Sequence, residues 1–331
     1  MAKEFKYNPD LQFIREDVPG NLCIDGQFVF GQEKDKLPFE RLARWMMSPN
    51  PQRREKRKDT FLPTVISNKT FMSDARDKIV WLGHSSFYLQ INGIRLLTDP
   101  VYYNLAPVRL PRKHKMPCSV ADLVSIDYIL LSHGHRDHLD LPSLRKILQY
   151  NPTIGVLCPL GFRKMLERAG FINIQEAAWW QRYNTPGLQI DFLPAKHWNR
   201  RHLFDYNTTL WGSFSIHDQT QRIYFAGDTG YDIHFKQIQD YYPQFDTCLM
   251  PVGAYKPHYI MEWAHTSPED AVKGFHELNG KTFIPMHYGT FDLSDEPAGE
   301  PVRILKKMEH SEKLNGSLKI LNVGEEFLLV N

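Results

Sequence analysis

The run His133-Gly134-His135-Arg136-Asp137-His138 sets four metal-binding side chains within six positions. It follows the apolar segment Tyr128-Ile129-Leu130-Leu131 and precedes a helix-like pattern that begins near Leu141-Pro142, which puts it on a loop at a strand end. On a helix, His133 and His135 would diverge by about 200° around the axis and could not easily share an ion. On a tight loop the two imidazoles can converge on one divalent cation while Asp137 and His138 turn toward a second. The chemistry open to such a cluster is hydrolysis. Two ions about 3.5 to 4 Å apart can share a hydroxide, lower its pKa toward neutrality and stabilise both oxygens of an in-line displacement. No serine or cysteine nucleophile is then needed.

Further ligands stand at other strand ends. The run Leu188 to Leu193 leads through Pro194-Ala195-Lys196 to His197 and Trp198. Arg222 to Ala226 leads into Gly227-Asp228-Thr229-Gly230, and Thr282 to Met286 delivers His287. Glycines on both sides of Asp228 let the backbone turn sharply and bring a carboxylate close to something. Loops at one edge of a sheet are where a rigid scaffold builds a site. With the first cluster these residues make five histidines and two aspartates, enough for two metals.

Taken together, these residues resemble the metallo-β-lactamase fold hydrolases, whose ligands match in type and order. Within that superfamily the chain is most similar to the N-acylphosphatidylethanolamine-hydrolysing phospholipase D family and its bacterial relatives. That resemblance is carried by Trp81-Leu82-Gly83-His84-Ser85, Thr98-Asp99-Pro100, His197-Trp198, Leu210-Trp211-Gly212-Ser213, Phe225 to Tyr231, Pro251 to Tyr255 and His287-Tyr288-Gly289-Thr290-Phe291. It implies a first metal on His133, His135 and His197, a second on Asp137, His138 and His287, and Asp228 bridging them. Asp99 resembles an acid that orients a ligand imidazole through its other ring nitrogen. His84 stands where the family has a histidine near the site, as a site residue or as a packed one. Tyr288 departs from the family, where Trp commonly follows the last ligand.

Asp228, Asp137 and His265 are the candidates for a direct part in the reaction. His265 precedes Thr266-Ser267-Pro268-Glu269-Asp270, the signature of a helix N-terminus. Beside that positive helix end it could hydrogen-bond an anionic phosphate or a leaving oxygen, or it could only fix its loop. Imidazole-rich coordination without thiolate favours zinc, with manganese or iron also compatible.

The elements that must position these residues read as strands interleaved with helices from Lys78 onward. Asn92-Gly93 between Phe87–Ile91 and Ile94–Leu97 signals a two-residue hairpin, and a second hairpin pairs Trp211–Ile216 with Arg222–Phe225. Helices are expected after Asp140, around Gly161–Arg168, near Tyr231–Gln239 and after Ser267, the last stopping near Gly280. Hairpins with intervening helices predict an α/β (α+β) chain with two mixed sheets face to face and helices outside. The resemblance implies the corresponding four-layer αββα sandwich over residues 77–331. Residues 1–76, rich in Pro, Asn and charge, predict an extension packed on that domain, with one helix at Phe39–Met47. The basic run Arg53–Lys58 beside Trp45, Met46 and Met47 is either a solvated loop or a dock for anionic lipid.

Composition sets limits. A chain of 331 residues that is 42% hydrophobic can bury a full core in one large domain. Its 40 basic and 38 acidic residues leave a net charge of +2, which argues against a nucleic-acid partner. Four distant cysteines predict free thiols in a reducing cytosol. No signal core or membrane span is visible, so the expected place is the cytoplasm, with peripheral contact at the inner membrane surface as an addition. Trp198 and Tyr255, with Tyr102, Tyr259, Trp263, Tyr288 and Phe291, are candidate pocket walls. Three functional readings follow: a phosphodiesterase acting on a lipid or small diester, a lactone or sugar-phosphate ester hydrolase, and a non-catalytic metal or ligand sensor. The seven-residue ligand set argues against the sensor, because a structural site is usually closed by four ligands.

Overall fold

The computed structural model describes residues 2–32, 39–105 and 110–329, and in it the apolar runs become two seven-stranded mixed sheets. The first is ordered Glu326–Leu328, Lys78–Gly83, Ser86–Ile91, Ile94–Thr98, Tyr128–Leu130, Gly155–Pro159 and Asn173–Ala177. Its first three pairings are antiparallel and its last three parallel. The second is ordered Gln181–Arg182, Gln189–Leu193, Ser213–His217, Arg222–Phe225, Phe245–Pro251, Gly280–Met286 and Ser317–Leu318. It makes the same switch from antiparallel to parallel at Arg222–Phe225. Both expected hairpins form. Ile91 faces Ile94 across Asn92 and Gly93, which take φ of 51° and 78°. Phe214 faces Phe225 in the second, whose first strand starts at Ser213 rather than Trp211.

Strand alternation explains the layering. In Lys78–Gly83, Ile79 and Trp81 join the core that also holds Phe192, Phe214, Phe225, Leu249 and Ile284 of the second sheet. Val80 and Leu82 point the other way, into a cluster with Leu144, Ile147 and Leu166. Those three belong to the helices Leu141–Tyr150 and Arg163–Ala169. Because both faces are covered, Ile79 to Leu82 is an unbroken apolar run rather than an alternating one. The helices His234–Tyr241 and Pro268–Glu277 cover the second sheet through Phe235 and Phe275. They cross where a Cβ on Gly274 would lie 2.8 Å from the Phe235 ring, so a glycine is required there. The result is the expected four-layer arrangement of helix, sheet, sheet and helix.

The first 75 residues carry more structure than the expected single helix. Helix Phe39–Met47 is present, with Phe39, Leu42 and Met46 side chains outside the described set. A small sheet of Lys3–Lys6, Asn21–Ile24 and Gln27–Phe28 precedes it. These strands are too short to show a periodic pattern, and side-chain bonds at long range hold them. Asn21 Oδ1 accepts the Trp179 N–H (2.8 Å), and the Gln181 amide donates to the carbonyls of Asn8 (2.7 Å) and Leu11 (3.0 Å). The basic run is a short helix, Arg53–Lys58, with no buried residue; its Lys56 bonds the Ser294 carbonyl. All four cysteines are buried and unpaired. Among the described residues, no helix is long and apolar enough to cross a membrane.

One buried charge ties the edge of the second sheet. Asp191 lies directly across from Arg182. Its carboxylate takes bonds from Arg182 Nε (2.6 Å), His217 Nε2 (3.1 Å) and Tyr242 Oη (2.5 Å). Burial pushes this carboxyl up, but bonds from His217, Arg182 and Tyr242 outweigh it and hold the group below the usual carboxylate value. A depressed pKa contributes stability above the unfolded value, about 3.9, that is lost as pH falls through the folded one. Asp191→Ala leaves Arg182 unpaired and should cost about 3 kcal/mol. Urea denaturation at pH 7 would show this, and the difference from wild type should shrink below about pH 4.

Candidate metal centre

Each candidate ligand hangs from the same edge of the sandwich. His84 follows Lys78–Gly83, Asp99 follows Ile94–Thr98, and the His133–His138 run follows Tyr128–Leu130. His197, Asp228 and His287 follow Gln189–Leu193, Arg222–Phe225 and Gly280–Met286. Reaching inward from these ends strains the backbone: His84, Asp99 and His287 have φ of 55°, 35° and 62°, a region non-glycine residues rarely enter. Gly227 shares it at 58°, and a Cβ there would lie 2.7 Å from that of Ser132.

The seven expected ligands, with His84, converge in two adjoining quartets. His133, His135, His197 and Asp228 form one; His138, His287, Asp137 and His84 form the other. Within each, the facing atoms lie within 4.8 Å of one another. In the first, His133 Nε2 and His135 Nδ1 are 2.9 Å apart, and His197 Nε2 is 3.1 Å from the same His135 nitrogen. Asp228 Oδ2 stands between the groups, 3.2 Å from His138 Nε2, 3.1 Å from His287 Nε2 and 3.9 Å from His133 Nε2. His84 belongs to the cluster, since its Nε2–H donates to Asp137 Oδ2 at 3.1 Å.

The remote ring nitrogens fix the tautomers. His138 Nδ1–H donates to Asp99 Oδ2 (2.7 Å), as expected for an orienting acid. His197 Nδ1–H donates to the Ala264 carbonyl (2.8 Å). His133 Nδ1–H donates to Ser132 Oγ (2.9 Å), and that hydroxyl donates to Asp99 (2.5 Å). Asp99 therefore serves two imidazoles, one directly and one through Ser132, a residue that sequence reasoning passed over. In His133 and His197, Nε2 therefore keeps its lone pair toward the cluster, while His138 turns Nε2 toward Asp228.

Burial holds His133 and His197 well below the usual imidazole value and His135 down at about 4, so these three are neutral. Burial also depresses His138 and His287, but the adjacent Asp228 and Asp137 reverse it, lifting His138 well above normal and His287 to about 9. The same contacts, against the burial that raises a carboxyl, keep both aspartates well below theirs. Burial raises Asp99, partly offset by His138. His138 Nε2, His287 Nε2 and Asp228 Oδ1 are buried with no hydrogen-bond partner among the described residues. Buried orphans of this kind are costly, and a divalent cation satisfies them. The donor set fits one in each quartet.

His265 enters from the short helix His258–Met261 and the Ser267-capped helix Pro268–Glu277. Its Nδ1 is unpartnered, 3.8 Å from Asp228 Oδ2, and burial holds the ring neutral with a value of about 4. It lines a cavity of about 650 Å³ above His135, Asp137, Asp228 and His287. The walls are mostly apolar: Trp45, Trp198, Ile260, Met261, Trp263 and Leu293, with Arg136 and Arg200 as cations. Trp198 and Trp263 line the cavity as expected, and Trp198 packs edge-on against His135 at 4.5 Å. Tyr255 does not. Its hydroxyl is bonded to Glu300, its ring is buried, and Ala254 takes the wall position. Tyr288 stacks on Trp81 at 5.1 Å, Tyr102 meets Cys118, and Phe291 abuts His84, all outside the cavity wall.

The model of the beta-lactamase superfamily domain matches residues 94–288. The chain belongs to this superfamily. It is 31% identical to N-acyl-phosphatidylethanolamine-hydrolyzing phospholipase D 1 of Caenorhabditis elegans over 285 residues, 81% of this chain and 80% of that protein. It is 27% identical to a UPF0173 metal-dependent hydrolase of Methanopyrus kandleri, over 76% of this chain and 99% of the other. The metallo hydrolase Igni18 of Ignicoccus hospitalis superposes with a TM-score of 0.58 at 21% identity, over 77% of this chain and 99% of its own, which shows the metallo-β-lactamase fold. The protein is a metal-dependent hydrolase of that superfamily.

Two substitutions separate holding the metal from orienting its ligands. Asp228→Asn should lose metal and activity together, measured by elemental analysis beside turnover; full activity at unchanged metal content would defeat the expected bridging role. Asp99→Ala keeps all seven expected ligands and should weaken metal retention about 10- to 100-fold, read by competition with a chelator.

Proposed function

We propose that this protein is a dinuclear phosphodiesterase of the N-acylphosphatidylethanolamine phospholipase D type. The observation that carries the reading is the apolar cavity opening directly on the donor cluster. At about 650 Å³ it is of a size to bury acyl chains beside a reacting phosphate. A compact polar lactone or sugar phosphate would leave the Trp45, Trp198 and Trp263 walls without a partner.

In this reading His133, His135 and His197 hold one divalent ion, Asp137, His138 and His287 hold the other, and Asp228 is shared. Zinc suits the imidazole-rich set, as would manganese or iron. When bound, two such ions supply Lewis acidity toward a phosphoryl oxygen and make water acidic enough to act near neutral pH. His84 keeps Asp137 in place through its Nε2–H. Arg136 and Arg200 attract the phosphate into the cavity. The tryptophan walls exclude bulk water, which strengthens every polar contact inside. His265, neutral and with Nδ1 unpartnered, is placed to hydrogen-bond a phosphoryl or departing oxygen.

The test is mass spectrometry of products from metal-loaded protein and N-acylphosphatidylethanolamine, beside His197→Ala. Phosphatidic acid and N-acylethanolamine, absent in the variant, support the reading. No product from protein with two metals bound overturns it and favours a smaller diester or a lactone. Trp45→Ala opens one wall and should raise KM for a long-chain substrate about ten-fold with a smaller change in kcat, which steady-state kinetics would show.

A further inference from the structure

The loop from Trp198 to Thr209 joins the metal-binding run to the protein surface. At its base, Asn199 Oδ1 accepts the N–H of Gly134 (2.9 Å), and Arg201 Nη1 donates to the carbonyls of Gly134 (2.7 Å) and Leu139 (2.9 Å). The loop thereby grips the His133–His138 run near both ends. The loop also lines the cavity through Trp198, Arg200 and Tyr206. At its tip, Leu203 and Phe204 are 74% and 93% exposed.

Single exposed apolar side chains are ordinary. Here two bulky ones are adjacent, at a loop tip, beside the mouth of an apolar cavity. The charge around them is one-sided. Arg136 and Arg200 at the mouth are exposed. The one acid in the loop, Asp205, is turned inward, its Oδ1 accepting the N–H groups of Arg201 (3.0 Å) and His202 (2.8 Å). The helix that brings Trp45 to the cavity also ends on an exposed apolar residue, Met47.

We propose that the Leu203–Phe204 tip is a docking element for an anionic lipid bilayer. The two side chains enter the interfacial layer, Arg200 and Arg136 lie against headgroup phosphates, and the cavity mouth is held at the lipid surface. This rests on the reading of the cavity as a lipid site. A tip of two residues is far smaller than the roughly 1,000 Å² that a specific protein interface needs. A bilayer asks only for a few buried apolar groups and cations facing negative lipid. The lipid contact moves from the basic helix Arg53–Lys58, with no buried residue and Lys56 already bound to Ser294, to the loop that grips the metal-binding run.

The experiment is cosedimentation of full-length, metal-loaded protein with vesicles of phosphatidylcholine alone or mixed with phosphatidylglycerol. The wild type should bind the anionic vesicles and lose them as salt is raised. Leu203→Ser/Phe204→Ser, and Phe204→Ser alone as a milder variant, should bind more weakly, the double one by about ten-fold or more, with metal content and Tm unchanged. Equal binding by wild type and variants overturns the proposal. So does a tip-dependent self-association, seen by light scattering, without vesicle binding. Vesicle binding needs no turnover: a protein that docks through the tip but cleaves no lipid keeps this inference and loses the proposed activity. One that cleaves lipid while all forms bind alike does the reverse.

Discussion

Ring nitrogens and carboxylate oxygens crowded into a buried volume are in conflict unless a cation stands among them, and the sandwich edge is built around that conflict. His133 Nε2, His135 Nδ1 and His197 Nε2 meet at separations near 3 Å, with the lone pairs of His133 and His197 turned inward because their other nitrogens are committed to Ser132 and the Ala264 carbonyl. Left alone, such an arrangement would open. It is kept closed by constraints from outside: Asp99 holding His138 and, through Ser132, His133; the Ala264 carbonyl holding His197; left-handed backbone at His84, Asp99 and His287. All of these except the Ala264 carbonyl, which lies between two helices, start at a strand end, so sheet stability becomes ligand precision.

The order in which the chain offers its ligands made most of this site readable. Short polar clusters after apolar runs need only local information, because a strand end and the loop after it are neighbours in sequence. For the same reason the Asn92-Gly93 hairpin and the Ser267 cap could be read directly. The fold class followed from the succession of these elements. Much of the first 75 residues did not follow, because strands of four, four and two residues have no period and are held by partners some 160 to 170 positions away. Trp45 as a cavity wall was hidden for the same reason. Tyr255 failed differently: it sits beside a family motif, but a carboxylate 45 residues later, Glu300, captures its hydroxyl and turns the ring away. Ser132 was overlooked because nothing about a serine before a histidine announces that its hydroxyl will join two other groups.

Electrostatics at the site divides the imidazoles into two sets. His133 and His197, 3.9 and 4.0 Å from Asp228, are held low by burial; His138 and His287, 3.2 and 3.1 Å from the same oxygen, are lifted above the usual imidazole value. The two halves of one cluster, built from the same residue types, differ in charge preference because of where two aspartates point.

The cavity has a division of origin that matters for how such a protein changes over time. Nearly all the donors come from residues within the matched stretch, 94–288, whereas Trp45 and Leu293 reach the cavity from outside it. Trp45 arrives on a helix tethered from above: its indole bonds Asp295, and the neighbouring Asn50 and Gln52 bond Asp295 and Glu300. Trp198, Ile260, Met261 and Trp263 share the donors' stretch, so only part of the wall is encoded apart from the reacting end. Exchange of the leading segment would recast the Trp45 side of the cavity while the machinery of bond cleavage passes down untouched.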